Sequence, residues 1–413
     1  MRSKDVERVF NKGLSLKYPE ALEGLENCPS AEIVLQRNEC IRAVADAKGA
    51  LDWLSRIDLL LNYAGALLQL LQDSSGSAVS SLATDLVITL LNASGYYQEI
   101  SLDTMERAYG TAMATSMWST SGLYLRKGLG LLQFTLAPPI SDITSCLSQT
   151  LKLRISSTIN EMIMEFQFVQ QIGIVVLSLS KLRSRVHKER KDAMLDIQEG
   201  DLNDLSRNSL VYAKLVIGCL ETSSRYSNDC GNIINKSGMA YLNSLIFLLL
   251  SLDQYSKDEC GVSVGMIDMS ISYLQKLVPK SQLEASLLLE KRKKRDILKS
   301  AFQKNEIKNK TIRTSLDIWS KKSKNNQLLP LLKLTLDDFL IQLAILLRYR
   351  YVQTNEKLSF KPIVSDESTL RKLFPRSVAS ELQGSEWVFD RETRSLQEVS
   401  ATPYTETNAN DYY

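Results

Sequence analysis

The chain has 413 residues, 44% of them hydrophobic, with only 9 Pro and 18 Gly. That length suits two or three domains or one long helical stack, and so few Pro and Gly leave little room for long irregular regions. With 50 basic residues against 47 acidic ones there is no global attraction for polyanions, although Lys276 to Lys324 gathers fifteen Lys or Arg against five Asp or Glu.

Six cysteines (Cys28, Cys40, Cys146, Cys219, Cys230 and Cys260) are scattered without a CxxC pair. That pattern fits reduced thiols in a reducing compartment rather than a disulfide framework. The start, Met1-Arg2-Ser3-Lys4-Asp5, has no apolar stretch behind its charges, so no secretory signal is read. The longest apolar runs, Tyr241 to Leu252 and Leu340 to Leu347, are shorter than the ~20 residues of a membrane span. A cytoplasmic protein, at most peripherally attached to membrane, is expected.

Up to about Asn38 the helical period is weak, and short strands or an irregular entry segment are expected there. Val44, Ala47, Leu51, Leu54, Ile57, Leu61, Ala64, Leu68 and Leu71 then step by three or four along one face of a long helix. Asp73-Ser74-Ser75-Gly76-Ser77 ends it. A helix over Ser80 to Asn92 is read as stopping at Ala93-Ser94-Gly95. The next begins near Ser101, with Ser101 and Asp103 as N-cap chemistry, and runs to Leu136, where Ala137-Pro138-Pro139 breaks it.

Further helices are predicted over 141–170, 173–196, 203–226, 230–253 and 261–277. Pro279 opens the basic stretch, read as two charged helices to about Lys322, and Leu328 to Tyr351 is the last apolar helix, with Pro330 in its first turn. The period is lost from Val352, and the polar, Thr-rich end from Ser385 reads as a mobile tail. The fold class is therefore all-α, a stack resembling tetratricopeptide arrays although no clean 34-residue repeat occurs, with a helical domain over 1–365 and a polar tail over 366–413.

Catalytic chemistry has no inventory to draw on. His187 is the sole histidine and lies in the basic stretch Lys181 to Lys188; a triad base or metal ligand would need partners that are not nearby. Neither GxxxxGK[ST] nor GxGxxG occurs. The glycines from Gly122 to Gly130 fall inside an apolar helix, where small residues permit close packing. No catalytic residue, metal or cofactor is expected. The run Lys291-Arg292-Lys293-Lys294-Arg295 is either a solvated helix face or a cationic surface for anionic lipid or an acidic partner; without interleaved aromatics it does not read as a nucleic-acid site. Tyr18-Pro19-Glu20-Ala21-Leu22 has the form of a Tyr-Pro-x(n)-Leu adaptor-docking peptide, or is a structural entry turn.

Three segments resemble the Bro domain of endosomal sorting adaptors, and within that family the shorter, fungal PalC-like members. Gly261-Val262-Ser263-Val264-Gly265-Met266-Ile267-Asp268-Met269-Ser270 is similar to Gly-x-x-Ile-Ala-x-Leu-x-x-Ala, with the small Gly265 expected to admit a neighbouring helix. Asn355 to Ile363 looks like Asn-Asp-x-Ile-Tyr-x-x-x-Val-Pro, an extended strip wrapped over the helices, with its proline displaced. Tyr124-Leu125-Arg126-Lys127-Gly128-Leu129-Gly130-Leu131-Leu132 resembles the Arg-Lys-Gly-Leu-Gly stretch of PalC-like members.

The resemblance implies a curved helical solenoid that binds the C-terminal amphipathic helix of the ESCRT-III core subunit. It implies service in ambient-pH signalling, with other pathway components, towards proteolytic activation of a zinc-finger transcription factor. It also implies peripheral recruitment to endosomal or plasma membrane. The partner site by element order would fall on Phe168, Ile172, Val175, Val176 and Leu179, which step by three or four; the same strip would equally suit the core. Alternatives are a Bro-type adaptor in endosomal cargo sorting, a lipid-binding helical scaffold using the basic face, and, least, an enzyme.

Overall fold

The computed structural model describes residues 31–45, 53–73, 78–111, 114–189, 199–226, 236–278, 328–377 and 382–399. Helices follow one another as α1 (Ala31–Ala45), α2 (Trp53–Asp73), α3 (Ala78–Ala108), α4 (Ala114–Leu136), α5 (Ile140–Ile143), α6 (Gln149–Glu189), α7 (Asn203–Tyr226), α8 (Lys236–Ser256) and α9 (Cys260–Leu274). After the basic stretch come α10 (Pro330–Thr335), a π turn (Leu336–Leu340), α11 (Ile341–Thr354), a second π turn (Asn355–Ser359) and α12 (Glu367–Arg371). One antiparallel hairpin, β1 (Trp387–Asp390) and β2 (Ser395–Glu398), completes the described chain. The all-α class holds.

Each long helix packs on the next in chain order, from α1 on α2 through α8 on α9, and α11 returns onto α9. Such consecutive packing is what an array of helices needs to bury one continuous core. Two hydrophobic clusters result. One joins α1 and α2 to the first part of α3 and to Trp387 and Leu396 of the hairpin; the other runs from α3 to α11. Residues Tyr241, Leu245, Phe247 and Leu249 of α8 are all fully buried, as expected of a helix apolar on every side.

Inside the first cluster Asp85 is fully buried. It accepts hydrogen bonds from Arg37 Nε (2.7 Å) and Tyr63 (3.1 Å), tying α1 and α2 to α3. A joint of the same kind holds the second. Arg183 pairs with Asp338 in the π turn, donating from Nη2 at 3.1 Å, while the Tyr109 hydroxyl donates to the same carboxylate at 3.3 Å.

Several predicted boundaries move. α3 runs straight through Ala93-Ser94-Gly95. Tertiary packing outweighs the ~1 kcal/mol helix penalty of one glycine: Ala93 and Ser94 are fully buried, and Ser94 Oγ donates to the Gly128 carbonyl at 2.8 Å. Ser101 is no N-cap but a buried partner of Ser121, hydroxyl to hydroxyl at 2.8 Å. The real stop is Gly110, at φ +74°. Likewise α6 continues through Gly173, which leaves room for Met105.

By length and composition α6, over Gln149–Ser184, could cross a membrane, although it holds no uninterrupted apolar run of ~20 residues. Of its most apolar part 61% is buried inside the fold, which is the situation of a core helix. The division at residue 365 also fails. Residues 366–377 pack on α8 and α9, and the hairpin puts Trp387 and Leu396 into the first cluster. The two strands of the described chain lie here; the short strands expected near the N-terminus fall mainly on residues 1–30, outside the described residues, and α1 is already helical from Ala31.

Candidate functional site

The segment after α11 leaves the helical stack and is clamped back onto α9. Asn355, itself buried, grips the backbone of Lys361 on both sides: its Nδ2 donates to the Lys361 carbonyl at 2.9 Å and its Oδ1 accepts from the Lys361 amide at 3.1 Å. Phe360 turns the chain with left-handed backbone, φ 52°, and its amide donates to the Asn355 carbonyl at 2.7 Å. Lys361 adds an ion pair to Glu259 at 3.1 Å. Held this way, Leu358 and Phe360 are 76% and 75% exposed and Ile363 is half exposed, a rigid apolar outcrop.

The following residues lie on α9 because Gly265 has no side chain. A Cβ there would overlap the Val364 carbonyl, whose carbon would stand only 2.9 Å away, and Gly261 is in the same position beneath Pro362. The sequence expectation of close approach at Gly265 is met by an extended strip instead of a helix.

Beyond it, Asp366 caps α12 by accepting from the Thr369 amide at 2.9 Å. Hydrogen bonds from Thr369 and then Ser368 hold its carboxyl far below the usual range. Arg371 completes the clasp. It donates to Glu367 (2.8 Å), Asn243 Oδ1 (2.8 Å) and the Tyr273 hydroxyl (2.8 Å) and lies 5.4 Å from the ring centres of Phe247 and Phe374.

A second seat lies on α4. Gly128 receives the Phe166 ring of α6, and Gly130 lies against the backbone of Ser385, whose carbonyl carbon and amide nitrogen would both be 2.9 Å from a Cβ. Ser385 N donates to the Arg126 carbonyl (2.9 Å), Trp387 Nε1 to the Lys127 carbonyl (3.1 Å), and Lys127 pairs with Glu398 (2.8 Å). The Arg126-Lys127-Gly128-Leu129-Gly130 stretch is therefore the bed of the C-terminal hairpin. Sequence reading missed the hairpin itself and its second bed, Gly65 of α2, which faces the Arg394 carbonyl.

The strip Phe168, Ile172, Val175, Val176 and Leu179 is core, not groove: Phe168 is 4% exposed and the other four are 1% or less. α6 is flanked by α4 and α7, and these residues fill the space between. The run Lys291, Arg292, Lys293, Lys294 and Arg295 and the Tyr18 to Leu22 peptide lie outside the described residues. Those described residues contain no group of three or more His, Cys, Asp or Glu placed to hold a metal.

Packed helices carry an extended C-terminal segment clasped across two of them, seated on glycines and held by the Asn355 and Arg371 side chains. The chain belongs to the family of unknown function DUF5355, whose profile matches residues 80–413. It is 38% identical over 384 residues to the uncharacterized protein YGR122W of Saccharomyces cerevisiae, covering 90% of this chain and 92% of that one. Among solved structures it is similar, at 13% identity and a TM-score of 0.38, to a Bro1 domain described in connection with endosomal targeting, over 84% of this chain and 81% of that one.

Proposed function

We propose that the protein is a non-catalytic, PalC-like adaptor of the Bro type. It binds the C-terminal amphipathic helix of the ESCRT-III core subunit and supports alkaline-pH signalling towards proteolytic activation of a zinc-finger transcription factor. It acts in the cytoplasm, recruited peripherally to endosomal or plasma membrane. The observation that carries the reading is the seating of Pro362, in the Asn355 to Ile363 strip, on Gly261, with the next residue, Val364, on Gly265. Two segments chosen for their likeness to Bro motifs, nearly a hundred residues apart, meet in one contact of the kind that likeness implies.

An amphipathic helix needs exposed apolar side chains to lie on. With the α6 strip inside the core, the surface that serves is the outcrop of Leu358, Phe360 and Ile363 beside the clasp. Its rigidity matters because a surface already held in place loses little freedom on binding. In a fungal strain lacking the gene, growth at alkaline pH and processing of the transcription factor should both fail and be restored by the intact chain. Normal processing in the deletion strain would remove the pathway assignment, and a defect confined to endosomal cargo would favour a sorting adaptor instead.

A further inference from the structure

The hairpin bounds a second feature that the adaptor reading does not use. A groove of about 760 Å³ is open along β1, walled by Phe134, Ala137, Pro138 and Pro139 at the end of α4 and by Trp387, Val388 and Phe389 on the other side. No residue of β2 lines it, so it lies on the outer side of β1.

The register shows what that side presents. Val399 N donates to the Glu386 carbonyl at 2.9 Å, and the ladder pairs Trp387 with Glu398 and Phe389 with Leu396. Hydrogen-bonded and non-hydrogen-bonded pairs alternate in an antiparallel ladder. Glu386, Val388 and Asp390 therefore bond inward to β2, while the N–H and C=O groups of Trp387 and Phe389 point the other way. Those groups have no backbone partner among the described residues. An open strand edge of this kind is a template for another strand.

The bed beneath it is stiff, since Gly130, the Arg126 and Lys127 carbonyls and the Lys127–Glu398 pair fix the hairpin to α4. The groove carries opposite charges at its two ends. Glu386 stands at the start of β1 and Arg391 just past its end, both exposed lining residues.

We propose that the outer edge of β1 is a β-augmentation site for an extended peptide of another protein. That peptide is apolar at alternate positions, acidic at the end that meets Arg391 and basic at the end that meets Glu386. Its backbone completes the bonds of Trp387 and Phe389, which gives attachment without sequence preference. Its alternate side chains reach Phe134, Pro138 and Pro139, which with the two charges supply selectivity.

The probe is a displayed library of short random peptides selected against the folded full chain, with the winning sequence synthesised and titrated. Amide exchange is then followed residue by residue. The selected peptide should slow exchange at Trp387 and Phe389 and leave the already paired Val388 and Asp390 unchanged. Ala137→Trp, which fills the groove from the helical wall, and Phe389→Pro, which removes one outward donor at an edge where proline is tolerated, should each lower affinity at least tenfold. Unchanged circular dichroism would show that both variants are folded.

Failure to select any peptide that protects these two amides would overturn the proposal. So would protection already present in the free chain that disappears on removing residues 400–413, which would make the chain's own C-terminus the occupant. Protection that grows with protein concentration would assign the edge to a second copy and equally overturn it.

Discussion

Gly122 and Gly130 lie on one helix, and alanine should have opposite effects at the two. At Gly122 an added Cβ meets nothing within 4 Å. The substitution should therefore return most of the helix-propensity difference, a stabilisation of about 0.8–1 kcal/mol. At Gly130 the same methyl would collide with the Ser385 backbone. The Ser385 carbonyl would have to retreat by about 1.5 Å to reach ordinary contact. That movement strains the Ser385–Arg126 and Trp387–Lys127 hydrogen bonds, each worth about 1 kcal/mol.

Complete release of the hairpin would also expose Trp387, which is 7% exposed in place. Burying 150–250 Å² of tryptophan contributes about 4–6 kcal/mol, which sets the upper bound. Partial accommodation is cheaper, so Gly130→Ala should cost about 1–3 kcal/mol net, as overpacking usually does. Urea unfolding followed by circular dichroism gives the stability, and tryptophan fluorescence reports whether Trp387 has left its site. Equal effects of the two substitutions, in either direction, would refute the seating of the hairpin on Gly130.

Three other outcomes follow from the same contacts. Asn355→Ala removes both bonds to the Lys361 backbone and should cost about 2 kcal/mol, with faster amide exchange confined to 360–364; protection unchanged there would contradict the clamp. Glu106 is pushed up to about 6 by burial and by the nearby Asp103 and Glu99. Because the folded state holds its proton more tightly, the associated stability is present below the ordinary value near 4.5 and is lost as pH rises through about 6. Glu106→Gln should accordingly raise stability at neutral pH by about 1 kcal/mol after allowance for solvent screening and flatten that part of the pH profile; an unchanged profile would rule the effect out. Ile172→Asp places a charge at a site 1% exposed and should cost several kcal/mol or prevent folding; a stable variant would return the α6 strip to the surface.

The helical class was legible because apolar residues spaced by three and four are a local signal. α7 begins and ends where the sequence placed it, at Asn203 and Tyr226. The errors come from contacts made at long range. Nothing near Gly95 reveals that Ser94 reaches the Gly128 carbonyl, so a glycine that reads as a stop sits in mid-helix. The α6 strip has the spacing of a binding face, but spacing cannot say whether one neighbour or two will cover a helix, and here α4 and α7 both do. Trp387-Val388-Phe389 and Leu396 are short apolar pieces in a polar end, and only their fit against α2 and α4 makes that end part of the fold. The glycine seats were partly legible: Gly130 and Gly265 signalled close approach, while the identity of what approached required the structure.

The most direct measurement is a calorimetric titration of the full chain with a synthetic peptide of the ESCRT-III core subunit's C-terminal helix. Leu358→Asp and Phe360→Asp, at side chains about three-quarters exposed, serve as folded controls, since exposed positions tolerate charge with little change in stability. Saturable one-to-one binding by the native chain, abolished by either substitution while the melting temperature stays within a degree or two of native, is the expected result. A native chain that is fully folded by circular dichroism and gives no binding heat at any temperature would contradict the adaptor reading; binding that both variants retain would move its site away from the Leu358 and Phe360 outcrop.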